Sequence, residues 1–102
     1  MTPEPYHDIT TQEMESLVTQ PETVVVDVRD EWEFDEFNIG GINIPLADIR
    51  AKRHYLVPYE NIIVLCANGV RSRIAAKDLS RHEDMHGKTI YHLHGGLLEV
   101  ED

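Results

Sequence analysis

The stretch Asn61-Ile62-Ile63-Val64-Leu65-Cys66-Ala67-Asn68-Gly69-Val70-Arg71-Ser72, followed by Ile74-Ala75-Ala76-Lys77-Asp78-Leu79, decides the fold. Its apolar run has no polar alternation, which predicts a strand covered on both faces. Gly69 breaks the pattern, and the residues after it have the composition of a helix. Cys66 is the only cysteine in the chain, and it stands where the strand ends and the turn into the helix begins. Ligands of open α/β sheets bind along that carboxyl edge. Amides at a helix N-terminus stabilise an anion, so a thiolate placed there is expected to have a lowered pKa and to be a good nucleophile. Arg71 and Arg73 add positive charge close by.

Outward from this unit, short apolar runs alternate with short helical patterns. Thr23-Val24-Val25-Val26-Asp27-Val28 is the strongest strand signal and is expected to be central. Residues 6–9 predict a weak first strand, Ile42-Asn43-Ile44 a short one closed by Pro45, and residues 89–93 a last one. Thr10 with Glu13 and Asp30 with Glu33 have the spacing of capping boxes. The first opens a helix with the stripe Met14, Leu17 and Val18, ended by Pro21. The second opens a short helix whose Trp32, Phe34 and Phe37 are expected to pack inward. Gly40-Gly41 predicts a turn. Residues 46–55 read as a helix with Leu46, Ile49 and Arg53 at helical spacing, and residues 71–81 as another. The expectation is an α/β domain over residues 1–102: a mostly parallel five-stranded sheet with helices on both faces.

The chain has 102 residues and a formal net charge of −10. That charge argues against nucleic acid and anionic membranes as partners. One cysteine excludes a disulfide within the chain, which favours a reducing compartment. The first residues lack the basic-then-apolar order of a secretory signal, and no apolar run reaches membrane-spanning length. The reading is a soluble, cytoplasmic protein. An anionic substrate would need local positive charge, for which Arg71, Arg73 and Arg29 are the candidates. Asp27, at a strand end, is expected to pair with a basic or backbone group, or else to orient Arg29 or the loop. His82, His86, His92 and His94 read as solvated histidines rather than metal ligands, because no cysteine pair accompanies them. His94, just before Gly95-Gly96, is a candidate for the mouth of the site.

Three segments carry a family resemblance. Asp27-Val28-Arg29, then Glu33 and Asn38-Ile39-Gly40-Gly41-Ile42-Asn43-Ile44-Pro45-Leu46, resembles the D-V-R … G-H-I-x-G-A-x-N-I-P-L signature of rhodanese-like domains. Cys66-Ala67-Asn68-Gly69-Val70-Arg71-Ser72 is similar to their C-x-x-G-x-R-S loop at every fixed position. Leu93-His94-Gly95-Gly96 resembles their L-x-G-G. The chain departs from the pattern at Phe37-Asn38 and Gly41, and in lacking a Trp shortly after Gly96. The resemblance implies sulfane sulfur transfer: Cys66 takes sulfur from a donor such as thiosulfate as a persulfide and passes it to cyanide, a thiol or a protein. It implies no metal or organic cofactor.

The chemistry needs a thiolate, amides converging on the terminal sulfur of the persulfide, and a tightly curled backbone. Ala67, Asn68 and Gly69 suit such a cradle, with the amides of residues 67–71, Val70 among them, as expected donors. Arg71 is expected to position an oxyanion on the donor, and Ser72 to cap the helix or donate to the thiolate. Three other readings stand beside this one. An inert buried cysteine is the plainest. A sulfur carrier or interaction module on the same fold is the second. A cysteine-dependent phosphatase or arsenate reductase is the third, but its loop requires five residues between Cys and Arg, whereas four separate Cys66 from Arg71.

Overall fold

The computed structural model describes residues 5–99. Five strands, β1 (His7–Ile9), β2 (Thr23–Asp27), β3 (Ile42–Asn43), β4 (Asn61–Leu65) and β5 (Thr89–Leu93), form one sheet in the order β1-β5-β4-β2-β3. Every neighbouring pair is parallel, so the sheet is wholly rather than mostly parallel. The helices are α1 (Thr11–Leu17), α2 (Glu31–Glu36), α3 (Ile49–Lys52) and α4 (Val70–Arg81).

The period-two alternation of the strands divides the interior into two cores. Val24 and Val26 of β2 and Ile62 and Val64 of β4 face α3 and α4, where Ile49, Ala75, Ala76 and Leu79 close the layer together with Leu56 and Met85. Ile63 and Leu65 of β4 face α1, where Met14 meets Ile9 and Leu93. Helices therefore cover both faces of the sheet.

Both expected helix starts form at Thr10 and Asp30. At α1 the box is reciprocal: Glu13 N–H donates to Thr10 Oγ1 at 3.1 Å, and Thr10 N–H donates to Glu13 Oε1 at 3.0 Å. At α2 the Asp30 N–H donates to Glu33 Oε1 at 3.0 Å.

The single helix expected over residues 46–55 is instead a 3-10 turn (Leu46–Asp48), one α-turn (α3) and a second 3-10 turn (Arg53–Leu56). The segment lies between Pro45 and Pro58, and a helix that short has few intrahelical bonds to gain, so its end turns tighten to i→i+3 pairing. Asp78 of α4 ties it down through Arg50 Nε at 2.7 Å and Arg53 Nη1 at 2.9 Å.

The aromatic residues of α2, and Phe37 just after it, do not all pack inward as expected. Trp32 is 62% exposed and Phe37 57% exposed, while Phe34 is half-buried. This helix is held by polar bonds to its carbonyls, described below, and contributes no buried residue. After Gly96 the chain forms a 3-10 turn (Leu97–Glu99), and residues 100–102 lie outside the described part. Among the described residues no helix is long and apolar enough to cross a membrane.

Candidate active site

Parallel β2 and β4 end side by side, with Val28 N–H donating to Leu65 O at 2.9 Å, and Cys66 follows at once. Its side chain is fully buried. The chain then curls back over the sulfur. Gly69 N–H points at Sγ from 3.1 Å, Ser72 N–H from 3.3 Å, and Ser72 Oγ lies 3.3 Å away. Burial pushes the thiol pKa up, but the Ser72 hydroxyl and the amides of Ser72, Asn68 and Gly69 outweigh it, and the net direction is down.

Gly69 is the residue that permits this curl. It has φ +91°, and a Cβ there would strike the carbonyl oxygen of His94. Gly96 performs the matching role on the other side. With φ +69°, it lets the chain pass against Ala67 O, where a Cβ would stand 2.5 Å from that oxygen. Leu97 N–H then donates to Cys66 O at 2.9 Å and Leu98 N–H to Ala67 O at 3.0 Å, so the final turn is fastened to the loop.

The expected ring of amides is narrower than the sequence suggests. Val70 N–H is given to Asn68 Oδ1 at 3.1 Å, which caps the start of α4 and removes that amide from the cradle. Asn68 and Val70 side chains are exposed, and Ala67 is half-buried.

The charged candidates divide sharply. Arg29 is buried and closed on Asp27: its Nη2 lies 2.8 Å from Oδ2, its Nε 3.0 Å from Oδ1, and its own N–H caps Oδ1 at 3.0 Å. The remaining donors reach Phe37 O at 2.6 Å and Glu33 O at 3.4 Å. Arg29 therefore offers no charge to a substrate, which corrects that expectation, and Asp27 is the strand-end partner of a basic group. Together they anchor the carbonyl end of α2. Arg71 is not free either. Its two terminal nitrogens lie 2.6 and 3.0 Å from the two oxygens of Glu33 on α2, a fork-to-fork pair. The Arg71 bonds hold Glu33 at about 2 against the opposing effect of burial, and Glu33 in turn raises Arg71. Arg73 is exposed on α4 and makes no ion pair among the described residues.

One of the four histidines read as solvated is the reverse. His92 is fully buried on β5, on the same face as Ile90 and opposite Val64. Its Nε2 lies 2.9 Å from Ser72 Oγ and 3.1 Å from Gly69 O, and its Nδ1 lies 2.8 Å from Asp8 Oδ1 on β1. The signal in the sequence was the alternation Ile90, His92 against Tyr91, Leu93, which turns His92 inward. Asp8 carried no signal of its own, since its neighbour is chosen by the β1–β5 pairing. The His94 side chain is 62% exposed, with its Nδ1 3.8 Å from Asp8 Oδ2.

The rhodanese-like domain model matches residues 10–102. A search of curated proteins finds no match. Among solved structures, the chain is similar to a rhodanese-related protein from Thermoplasma volcanium, with 28% identity over 91% of this chain and 88% of that one, TM-score 0.74. It is also similar to a protein of unknown function, a possible tyrosine phosphatase, from Rhodopseudomonas palustris CGA009, with 25% identity over 89% and 76%, TM-score 0.70. A third similarity is to an NAD-dependent persulfide reductase from A. fulgidus, with 28% identity over 90% of this chain but only 15% of that one, TM-score 0.66. On its fold, its loop and its match across nearly the whole sequence, this chain belongs to the rhodanese-like domain family.

Proposed function

We propose that the protein is a sulfurtransferase: Cys66 takes sulfane sulfur from a small donor as a persulfide and hands it to a thiol, a protein or, in vitro, cyanide. The observation that carries this reading is the pair of amide donors on Sγ, Gly69 N–H and Ser72 N–H, with the Ser72 hydroxyl beside them, all within 3.3 Å of a buried sulfur. These groups favour a thiolate before the reaction and suit a persulfide anion after it. In the first half-reaction the thiolate forms a bond to the outer sulfur of the donor. The bond from that sulfur to the rest of the donor breaks, and its electron pair leaves with the departing group. In the second, the acceptor nucleophile attacks the same sulfur and Cys66 is released as thiolate.

Phosphate transfer fits these residues less well. Four residues separate Cys66 from Arg71, and the Arg71 guanidinium is already paired with Glu33. Intact mass before and after thiosulfate, or a low-molecular-weight organic persulfide, tests the reading. The expected result is one added sulfur at Cys66, removed by cyanide as thiocyanate and lost in Cys66→Ser. No added sulfur from either donor, together with turnover of an aryl phosphate, would replace this reading with the phosphatase one. Loading without turnover on any small acceptor would make the domain a carrier for a protein partner in the reducing cytoplasm.

A further inference from the structure

The contacts of His92 pose a problem of protons. Gly69 O, 3.1 Å from Nε2, can only accept a hydrogen bond. An ionised Asp8 carboxylate, 2.8 Å from Nδ1, can only accept as well. Both ring nitrogens are therefore aimed at acceptors, and both contacts are satisfied together only when both nitrogens carry hydrogen. Among the described residues, the other groups facing the ring are Ser72 Oγ from α4, the Tyr6 ring just before β1 at 5.7 Å between centroids and the His94 ring just after β5 at 6.2 Å. Cys66 stands one step further, behind Ser72.

Place the second proton on His92 and every bond in the chain has a direction. Nδ1–H donates to Asp8. Nε2–H is shared by Gly69 O and Ser72 Oγ. The Ser72 hydroxyl hydrogen is then free to donate to Sγ, which already receives the amides of Gly69 and Ser72 and must be a thiolate to accept all three. With a thiol and a singly protonated ring, Nε2 instead presents a lone pair to the Gly69 carbonyl, an unfavourable contact inside a fully buried site.

We propose that Ser72, His92 and Asp8 form a proton relay that removes the Cys66 proton and stores it on the His92 ring, so that the reactive state is a buried thiolate–imidazolium pair. The Sγ–H bond breaks and its proton passes to Ser72 Oγ while the Ser72 hydroxyl proton passes to Nε2. Ser72 gives one proton and takes one. Sγ gains the negative charge, the ring gains the positive charge, Asp8 stays a carboxylate, and no electron changes hands. Ser72 touches the reacting sulfur, whereas His92 and Asp8 are positioning residues acting through it. A divalent ion held by Asp8, His92 and His94 is the alternative occupant of this corner. The 2.8 Å between Nδ1 and Oδ1 favours the proton, because two ligands about 2 Å from one tetrahedral ion stand roughly 3.3 Å apart.

The relay rests on Cys66 as the reacting thiol, and its test is separable from sulfur transfer. Alkylation of Cys66 followed against pH reads the thiolate directly, and ring ¹⁵N NMR reads whether His92 carries one proton or two. In wild type, the doubly protonated ring is expected wherever Cys66 alkylates fast. The coupling must be reciprocal. His92→Gln and Ser72→Ala slow alkylation about tenfold at mildly acidic pH, equivalent to about one unit of thiol titration, and Cys66→Ala narrows the pH range of the doubly protonated ring. Should His92→Gln lose its fold, Asp8→Asn, at a half-exposed position, carries the same prediction in both readouts. His86→Gln, at an exposed histidine elsewhere, leaves both unchanged. A ring that stays singly protonated while Cys66 is a thiolate would overturn the relay, even with persulfide loading intact. So would a divalent ion retained by wild type and released by His94→Ala. Failure of loading with the reciprocal shifts present would leave the relay standing and remove only the sulfur-transfer reading.

Discussion

Glu33 is the residue on which the site's charge turns. It lies in the first turn of α2, accepts a hydrogen bond from the Asp30 amide and clamps Arg71 with both oxygens. A dianionic donor such as thiosulfate therefore approaches a guanidinium that is already neutralised, on a chain of net charge −10. Glu33→Gln is expected to lower the KM for thiosulfate several-fold with little change in kcat, read from initial rates at low salt. An unchanged KM would show that the donor does not meet Arg71. The pair also sets an acid limit. The Glu33 pKa falls from the ordinary 4.5 to about 2, so its contribution is present above the ordinary value and is lost as pH drops through about 2. Because both side chains retain some solvent exposure, the expected loss is about 1 kcal/mol, measured as the difference between wild-type and Glu33→Gln urea midpoints across that window. Gly69→Ala has a different signature. The left-handed backbone costs roughly 1–2 kcal/mol, before the conflict with His94 O. Loss of stability together with slower alkylation is the expected pair of results, since the same glycine amide binds Sγ.

At the scale of elements, the roles in the sequence motifs become physical. Asp27-Val28-Arg29 reads from sequence as a strand end with a cation for the substrate. In the fold it is a closed pair whose spare donors fix the carbonyl end of α2, and α2 then holds Arg71 through Glu33. The positive charge attributed to Arg29 could not be resolved beforehand, because its consumption depends on Asp27 and on carbonyls of the next helix. The capping boxes and the strands were legible because their signals are local. Trp32 and Phe37 turn outward against expectation: an aromatic residue on a six-residue helix carries no mark of which face is turned to the sheet, and Phe37 already lies past the helix end in extended backbone. Thr10→Ala tests the separateness of these units. It is expected to cost about 1 kcal/mol in denaturant unfolding, through loss of the α1 cap, while leaving the Cys66 alkylation profile in place.

The molecule as a whole is a parallel sheet whose carboxyl edge gathers parts from distant places. Cys66 follows β4, Ser72 lies in the first turn of α4, His92 comes from β5 and Asp8 from β1 at the sheet's margin. The proposed nucleophile was legible from one loop. The groups behind it were not, because Asp8 and His92 meet only through the β1–β5 pairing, which aligns Asp8 with His92 across nearly the full described sequence. The final 3-10 turn is bound to the same corner through Cys66 O and Ala67 O. Gly96→Ala is expected to loosen it, raising hydrogen exchange at Leu97 and Leu98 and exposing Sγ to bulkier alkylating agents. Unaltered exchange at those two amides would show that the turn is held by Leu97 packing instead.

That joining of early and late segments has a consequence for the life of the chain before it is folded. Contacts of such sequence separation form late, since the intervening loop must close first. A nascent chain on the ribosome that has not yet delivered residues 89–98 lacks the ring, the β1–β5 pairing and the closing turn. With the proposed relay missing, its cysteine is expected to be closer to an ordinary, mostly protonated thiol, slow to react with oxidants or stray electrophiles. On the proposed relay, reactivity is thus withheld during synthesis and switched on by completion of the fold.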